Sequence, residues 1–212
     1  LSLKKKIWNI MCGYLITNFN ISRTEFKKSL SLQEERGPDS TKIIYFKGLY
    51  FGFNRLSIID LSEDSMQPFI YKDNVICFNG EIYNFIELKK KLSENGFKFK
   101  TSGDTEVLIK TLDFYGIEKG LKLLRGMWSC ILYNKKEKKF SISRDRLGIK
   151  PLWYFKKKDK FIYSTDIRSI LNIVHKDIII NKKIVIDFCK YGFLDEDNHT
   201  FFKNIKVFPK GS

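Results

Sequence analysis

Short apolar segments separated by turn-forming residues are the feature that most limits how this chain can fold. The segments are four to six residues long and rich in Ile, Phe, Tyr and Val, which is typical of β-strands. Lys47-Gly48 separates two of them at hairpin spacing, and Asn79-Gly80 follows another as a pair that favours a tight turn. We therefore predict strands over residues 12–17, 42–46, 49–53, 74–78, 128–133, 140–144, 152–155 and 161–164.

Three segments between these strands have features of helices. Apolar residues recur at helical spacing over residues 85–95 and 105–115, and both runs end at a glycine. A more polar helix is predicted over residues 22–35, before the turn Arg36-Gly37-Pro38-Asp39. Strands at both ends of the chain with helices between them predict a layered α+β domain rather than alternating βαβ units.

The composition excludes several classes of protein. Hydrophobic residues make up 43% and charged residues 30% of the 212 residues, which is typical of a globular domain and not of a disordered chain. No apolar run approaches the ~20 residues that span a bilayer, so we predict no membrane segment. The net charge of +15 suggests nucleic acid as an alternative partner, but Lys far outnumbers Arg, and Lys lacks the planar guanidinium that makes forked and stacked contacts. We therefore predict no nucleic-acid role.

The cysteines and histidines do not have the spacing of a metal site. Cys12, Cys77, Cys130 and Cys189 include no Cys-x-x-Cys pair, and the chain has only two histidines. This pattern fits neither a zinc site nor a small disulfide framework, so we predict no metal and a reducing, cytoplasmic location.

Residues 1–10 are predicted to be an upstream extension. The lysines at positions 4–6 followed by an apolar stretch resemble a signal peptide, but Asn9 interrupts the stretch and no small-residue cleavage site follows. Met11 is the next candidate start, and the domain is predicted to cover residues 11–212.

Cys12 directly follows Met11, which makes an N-terminal nucleophile feasible. Removal of Met11 would give Cys12 a free α-amine, whose pKa of about 8 suits a general base that needs no histidine. A buried strand cysteine without a chemical role is the alternative, and burial statistics alone favour it.

Cys12 is the first of a series of short motifs that occur in a fixed order. The motifs are Met11-Cys12-Gly13, Arg36-Gly37-Pro38-Asp39, the segment 55–60, Gln67-Pro68, the segment 79–84, the segment 102–106, the segment 125–128 and the segment 144–152. The series resembles the glutaminase domain of glutamine-hydrolysing asparagine synthetases, which are class II, N-terminal-nucleophile amidotransferases. The resemblance covers residues 11–212 and implies a four-layer αββα sandwich of two antiparallel sheets between helices.

The resemblance implies a catalytic role for three residues. The Cys12 thiolate would attack the side-chain amide of glutamine and form a glutamyl thioester, with release of ammonia. The Asn79 side chain and the Gly80 backbone N–H would form the oxyanion hole that stabilises the tetrahedral intermediate.

The resemblance also implies the residues that bind glutamine. Arg55 would pair with its α-carboxylate, and Asp104 with Glu81 would hold its α-ammonium. Leu56 and Ile58 would line the pocket through backbone contacts. The alternative for Arg55 is an ordinary surface charge, and for Asp104 a helix N-terminal acid favoured by the helix dipole.

The synthetase half of such an enzyme is not found in these residues. The family's ATP-binding Ser-Gly-Gly-x-Asp-Ser loop does not occur, so we expect no cofactor here and place ATP and Mg²⁺ on a partner domain or subunit. The chain is then either a truncated gene product or a separate glutaminase subunit, and a homodimer stays open. Two further alternatives are the same glutaminase serving another acceptor, such as one in surface-polysaccharide synthesis, and a non-catalytic interaction module.

Overall fold

The computed structural model describes residues 11–192 and 199–212, so the predicted extension over residues 1–10 lies outside the described residues. Short 3-10 turns lie at Glu34–Arg36, Glu63–Ser65 and His175–Asp177. The strands and helices are β1 (Gly13–Thr17), α1 (Arg23–Ser31), β2 (Ser40–Phe46), β3 (Leu49–Arg55), β4 (Phe69–Tyr71), β5 (Asn74–Ile82), α2 (Phe85–Glu94), α3 (Asp104–Tyr115), α4 (Ile117–Leu123), β6 (Gly126–Asn134), β7 (Lys139–Arg144), β8 (Trp153–Lys157), β9 (Lys160–Ser164), α5 (Ile167–Val174), α6 (Lys182–Tyr191) and β10 (Ile205–Val207).

The strands form two antiparallel sheets. The first sheet has the order β10-β8-β9-β1-β3-β2, and the second has the order β4-β5-β6-β7. Strand β1 is central in the first sheet because it pairs with both β3 and β9. Strand β5 pairs along its whole length with β6. The predicted nucleophile Cys12, which precedes β1, and the predicted oxyanion-hole residues Asn79 and Gly80 of β5 therefore lie at different sheets.

Three separate hydrophobic cores show that the domain has four layers. One core packs the second sheet against α2 and α3, with Leu88 and Leu108 fully or almost fully buried. A second core fills the space between the two sheets and contains Ile16 and Phe51. The third packs the first sheet against α1 and α5. Helices thus cover the outer faces of two stacked sheets, which confirms the predicted αββα sandwich.

The predicted turn at Asn79-Gly80 is wrong. Strand β5 continues to Ile82, and Asn79 pairs with Ser129 while Gly80 pairs with Trp128. Gly80 is needed for the close approach of the neighbouring strand and not for a turn. A Cβ at this position would lie 2.2 Å from the carbonyl oxygen of Met127.

The predicted helix over residues 22–35 is shorter than expected. A capping box between Ser22 and Glu25 starts α1, but the helix ends at Ser31 and a 3-10 turn follows. Asn54 of β3 donates a 2.9 Å hydrogen bond to the carbonyl oxygen of Leu30 in the last turn of the helix. Gln33 is buried, and its Nε2 donates a 3.2 Å hydrogen bond to the carbonyl oxygen of Tyr14. Contacts with the first sheet therefore accompany the end of α1.

None of the helices within residues 11–192 and 199–212 has both the length and the apolar character needed to cross a membrane.

Candidate active site

One pocket at the ends of strands from both sheets contains all of the predicted site residues. Cys12 precedes β1, Arg55 ends β3, and Asp104 begins α3. Leu56 and Ile58 lie in the loop after β3. The lining of this pocket includes Cys12, Arg55, Leu56, Ile58, Asn79, Gly80, Glu81 and Asp104. The stacking of the two antiparallel sheets thus brings together residues that are up to 92 positions apart in the sequence.

Cys12 contacts the loop that follows β3. Its Sγ accepts a hydrogen bond from the backbone N–H of Leu56 at 3.3 Å and lies 3.5 Å from the carbonyl oxygen of the same residue. Burial raises the pKa of the Cys12 thiol, while the Leu56 N–H and the charge of Arg55 act in the opposite direction. A thiol with a raised pKa needs a nearby base before it can attack a substrate.

Met11 occupies the space next to Cys12. Its backbone N–H donates to the carbonyl oxygen of Arg36 at 3.1 Å, and its Sδ lies 3.1 Å from Nζ of Lys150. The two histidines, His175 and His199, are exposed and do not line this pocket. The base predicted from the sequence, the α-amine of Cys12, would form at the position where Met11 is now attached.

Asn79 presents a buried donor to the pocket. The side chain is 2% exposed, and within the described part of the chain its Nδ2 has no hydrogen-bond acceptor. A buried amide without an acceptor is unfavourable, by about 1–3 kcal/mol in mutational data. An acceptor that forms only during a reaction would explain why this buried Nδ2 has no partner in the resting structure.

Gln67 holds the strand immediately before Asn79. Its Oε1 accepts from the backbone N–H of Phe78 at 2.6 Å, and its Nε2 donates to the carbonyl oxygen of Phe78 at 3.0 Å. Nε2 also lies 3.3 Å from Oγ1 of Thr105. This glutamine belongs to the predicted motif series, but its positioning of β5 could not be derived from the sequence.

Arg55 is buried and makes three hydrogen bonds with the loop that follows its own strand. Its guanidinium donates to the carbonyl oxygen of Ser62 at 2.8 Å, to the carbonyl oxygen of Asp60 and to Oγ of Ser65. A guanidinium has five N–H donors, so these bonds use part of its capacity. Arg55 is therefore a brace for the pocket loop as well as a pocket-lining cation.

Asp60 joins that loop to the segment before α3. Its carboxylate accepts from the backbone N–H and the hydroxyl of both Ser62 and Ser102, at 2.6–3.0 Å. Desolvation favours the neutral form, but these hydrogen bonds lower the pKa of Asp60 below its usual range. Asp60 stays ionised and fixes two edges of the pocket relative to each other.

Asp104 is a buried carboxylate with a strongly shifted pKa. Burial raises the pKa of Asp104 to about 6, and the nearby charge of Glu81 acts in the same direction, against hydrogen bonds from backbone N–H groups. A carboxylate that is ionised at neutral pH yet poorly solvated is suited to bind a substrate cation.

The segment over residues 144–152, the last motif of the series, forms a loop beside the pocket. The carboxylate of Asp145 accepts from the backbone N–H groups of Trp128, Leu147, Ile149 and Lys150 at 2.9–3.3 Å. Arg144 of β7 donates to the carbonyl oxygens of Gly148, Lys150 and Phe208 at 2.6–2.8 Å. Lys150 also lines the pocket, which no local pattern in the sequence indicated.

Metal ligands are not grouped in the described residues: no three His, Cys, Asp or Glu side chains there lie close enough to hold an ion.

Comparison with known proteins decides the family. The model of a glutamine amidotransferase domain matches residues 11–212. The chain belongs to the glutamine amidotransferase family. This amidotransferase domain is 36% identical over 211 residues to "Asparagine synthetase [glutamine-hydrolyzing] 1" of Bacillus subtilis, a match that covers 95% of the chain and 33% of that protein. It is 35% identical over 219 residues to "Putative asparagine synthetase [glutamine-hydrolyzing] 2" of Methanocaldococcus jannaschii, covering 92% of the chain and 42% of that protein.

Solved structures confirm the fold of this amidotransferase domain. Glutamine phosphoribosylpyrophosphate amidotransferase from B. subtilis, in complex with ADP and GMP, has a TM-score of 0.65 at 17% identity, over 75% of this chain and 42% of that one. An allosteric regulatory enzyme of purine biosynthesis has a TM-score of 0.67 at 16% identity, over 76% of this chain and 43% of that one. The domain spans between a third and about two-fifths of the length of the two asparagine synthetases.

Proposed function

We propose that this domain hydrolyses glutamine to glutamate and ammonia, as the glutaminase half of an asparagine synthetase-type enzyme. The observation that carries the proposal is the meeting of the Cys12 thiol and the unpartnered Asn79 amide in one pocket. A nucleophile beside a preorganised, desolvated donor suits the formation of a tetrahedral oxyanion. The names of the relatives, glutamine-hydrolysing asparagine synthetases, support the choice of substrate.

The proposed mechanism begins with removal of Met11. The free α-amine of Cys12 takes the proton of the thiol, and the thiolate attacks the side-chain carbonyl carbon of glutamine. Asn79 Nδ2–H and the Gly80 N–H stabilise the resulting oxyanion. The protonated amine gives its proton to the leaving ammonia, which leaves a glutamyl thioester. A water molecule, deprotonated by the amine, then hydrolyses the thioester and releases glutamate with the thiol restored.

The substrate's two charged groups would be bound on opposite sides of the pocket. Arg55 retains donors for the α-carboxylate beyond its three loop bonds. Asp104, with Glu81 beside it, would hold the α-ammonium. Leu56 and Ile58 line the pocket next to Cys12 and would contact the substrate through their backbone.

The ammonia would pass to an ATP-using partner domain or subunit. Leu61 and Leu147 are 76% and 77% exposed, and Ile58 and Ile149 more than half exposed, on the two loops beside the pocket. Apolar side chains exposed together favour a protein partner over water at this face. The partner would bind ATP and Mg²⁺ and activate aspartate, which agrees with the relatives' names. Glutamine hydrolysis in this pocket would be the same if the partner's acceptor were not aspartate, and a cytoplasmic location suits either acceptor.

Glutamate release from glutamine tests the proposal. The chain is expressed from Met11, its N-terminal mass is determined, and Cys12→Ala is the matched inactive control. Loss of Met11 together with hydrolysis that Cys12→Ala abolishes is the expected result. Cys12→Ser should retain the fold and glutamine binding. A processed, folded chain without Cys12-dependent hydrolysis would favour the non-catalytic alternative.

A second assay addresses the acceptor. The processed domain is mixed with the synthetase region of a relative, ATP, Mg²⁺ and aspartate, and asparagine is measured with glutamine or with free ammonia as the nitrogen source. Glutamine-dependent asparagine formation that requires Cys12 is the expected result. Asparagine formation with free ammonia but not with glutamine would show that the two parts do not transfer ammonia.

A further inference from the structure

We propose that Lys150 is a positioning residue whose ammonium keeps the α-amine of processed Cys12 in its neutral, basic form at neutral pH. Lys150 would act through the amine and would not touch the substrate. The inference deepens the proposed hydrolysis of glutamine and rests on that function for its catalytic meaning.

The backbone of Lys150 is held firmly beside the pocket. Its N–H donates to Oδ2 of Asp145 at 3.0 Å, and its carbonyl oxygen accepts from Nε of Arg144 at 2.7 Å. The residue is 7% exposed and lines the same pocket as Cys12. Lys150 is thus fixed at its root, and its long side chain is directed along the pocket wall toward the start of the domain.

The ammonium of Lys150 reaches the residue that processing would remove. Nζ lies 3.1 Å from Sδ of Met11, and Met11 is joined directly to Cys12. Five bonds separate that sulfur from the backbone nitrogen of Cys12, so Nζ and the new amine would be within about 10 Å of each other. Charges at that distance in a poorly solvated pocket interact appreciably.

The partner of Lys150 does not neutralise its charge. A thioether is a weak acceptor with no negative charge, unlike the carboxylate that pairs with Lys110 at 2.5 Å. Burial lowers the pKa of Lys150, but the charges of Glu81 and Asp145 act in the opposite direction. Removal of Met11 would take away this acceptor and leave the ammonium facing the new amine.

The sign of the effect follows from all charges around that amine. A neighbouring cation disfavours protonation and lowers the pKa of an amine, whereas a neighbouring carboxylate raises it. Asp145 is already bonded to four backbone N–H groups, and Arg55 is bonded to three oxygens of its loop. Lys150 is the cation whose side chain contacts Met11, so it is well placed to offset the pocket carboxylates. The facing groups are Arg36 after α1, Arg55 of β3, Asp60 of the loop after β3, Glu81 of β5, Asp104 of α3, and Asp145 and Lys150 of the loop after β7.

The pH dependence of glutamine hydrolysis gives the first test. In Lys150→Met, the acidic limb of kcat/KM should move to higher pH by about half to one unit, because the amine keeps its proton longer. Lys150→Arg should restore the wild-type limb. Lys119→Met, which removes an exposed lysine of α4, controls for the change in net charge. An unmoved limb, or a rise in KM without a shift of the limb, would overturn the proposal.

A direct titration of the amine gives a second test that needs no activity. The chain carrying Cys12→Ser, expressed from Met11, is reductively methylated with ¹³C-formaldehyde, and the N-terminal signal is followed by NMR from pH 5 to 10. Adding Lys150→Met should raise the pKa of that amine by the same half to one unit. If Lys150→Met does not fold, Lys150→Gln, which keeps a polar group of similar reach, replaces it.

The two tests separate the inference from the function on which it rests. A wild-type chain that loses Met11 but does not hydrolyse glutamine would contradict the proposed function, while a raised amine pKa in the Lys150 variant would still support the inference. An amine pKa that is the same with and without Lys150 would overturn the inference even in an active enzyme.

Discussion

Oδ2 of Asp104 accepts a 2.9 Å hydrogen bond from the backbone N–H of Ile82, so the first residue of α3 is tied to the last residue of β5. The same carboxylate lines the pocket and is only 6% exposed. One side chain therefore joins two layers of the sandwich and also presents a charge to the substrate pocket.

We predict that Asp104→Asn stabilises the domain at neutral pH. Burial raises the pKa of Asp104 to about 6 from 3.8, so the ionised form is disfavoured in the folded state. That unfavourable contribution is absent below about pH 4 and complete above about pH 6, where it amounts to at most about 3 kcal/mol. Asn keeps an oxygen acceptor for the Ile82 N–H. Urea unfolding should show a gain at pH 7.5 that shrinks toward pH 4, and a loss at both values would contradict the assignment.

The same variant should bind glutamine poorly. Without the negative charge, the α-ammonium loses its partner, and KM should rise at least tenfold while kcat changes less. In the wild type, KM should also rise as the pH falls through about 6, where Asp104 becomes protonated. Steady-state kinetics over pH 5–8 would check both effects. An unchanged KM in Asp104→Asn would place the ammonium elsewhere.

Asn79→Ala should separate activity from stability. The amide nitrogen has no acceptor in the described residues, so its removal relieves the cost of burying it and offsets the lost packing, and the free energy of unfolding should change by less than about 1 kcal/mol. Loss of one oxyanion-hole donor typically lowers kcat about 10²–10³-fold. Glutamate release and thermal unfolding of the same preparation would check this. A large loss of stability with a small loss of kcat would show that the amide is structural.

Gly80→Ala should damage both the sheet and the pocket. The added Cβ would lie 2.2 Å from the carbonyl oxygen of Met127, so β5 and β6 must separate. We expect a destabilisation of about 2 kcal/mol or more, together with loss of hydrolysis. Gly96→Ala is the comparison without a clash, because no atom lies within 4 Å of its added Cβ and its cost is the backbone strain of a positive φ of 84°. Equal destabilisation by the two variants would mean that the strands yield easily.

Arg55→Lys should weaken substrate binding and loosen the loop after β3. Lys cannot replace a guanidinium that bonds Asp60, Ser62 and Ser65 together, although it keeps the charge. We expect KM for glutamine to rise about tenfold and limited proteolysis to cut within residues 56–65. If the loop in Arg55→Lys resists proteolysis as well as in the wild type while KM rises, Arg55 contacts the substrate but does not hold the loop.

The strands and the residues that line the pocket could be predicted from the sequence for different reasons. The strands around Ile16, Phe51 and Ile131 are short runs of apolar residues that are buried between the sheets. The site came from the order of the motifs, since no property of Cys12 or Asp104 alone separates a pocket residue from a structural one. Elements β4, β10, α4, α5 and α6 were not predicted. Strands β4 and β10 have three residues each, which is too few to show a period.

The failures have a common physical cause in distant pairing. Asn79-Gly80 has a local preference for a turn, but nine pairs of residues between β5 and β6 override it. The contact between Lys150 and Met11 joins residues 139 positions apart, and local pattern cannot reveal it. Tertiary packing therefore decides the places where local propensity and the final structure differ.

Strand β5 is continuous through Asn79, Gly80 and Glu81, so it would set the distance between the two ends of the bound substrate. Asn79 and Glu81 lie on the same face, about 6.6 Å apart, and Asp104 is tied to Ile82 one residue further along. The groups that bind the reacting amide and the α-ammonium of glutamine would thus be held at a constant separation by one strand. Asparagine, one methylene shorter, could not reach both ends at once, so selection for chain length would be built into the sheet itself.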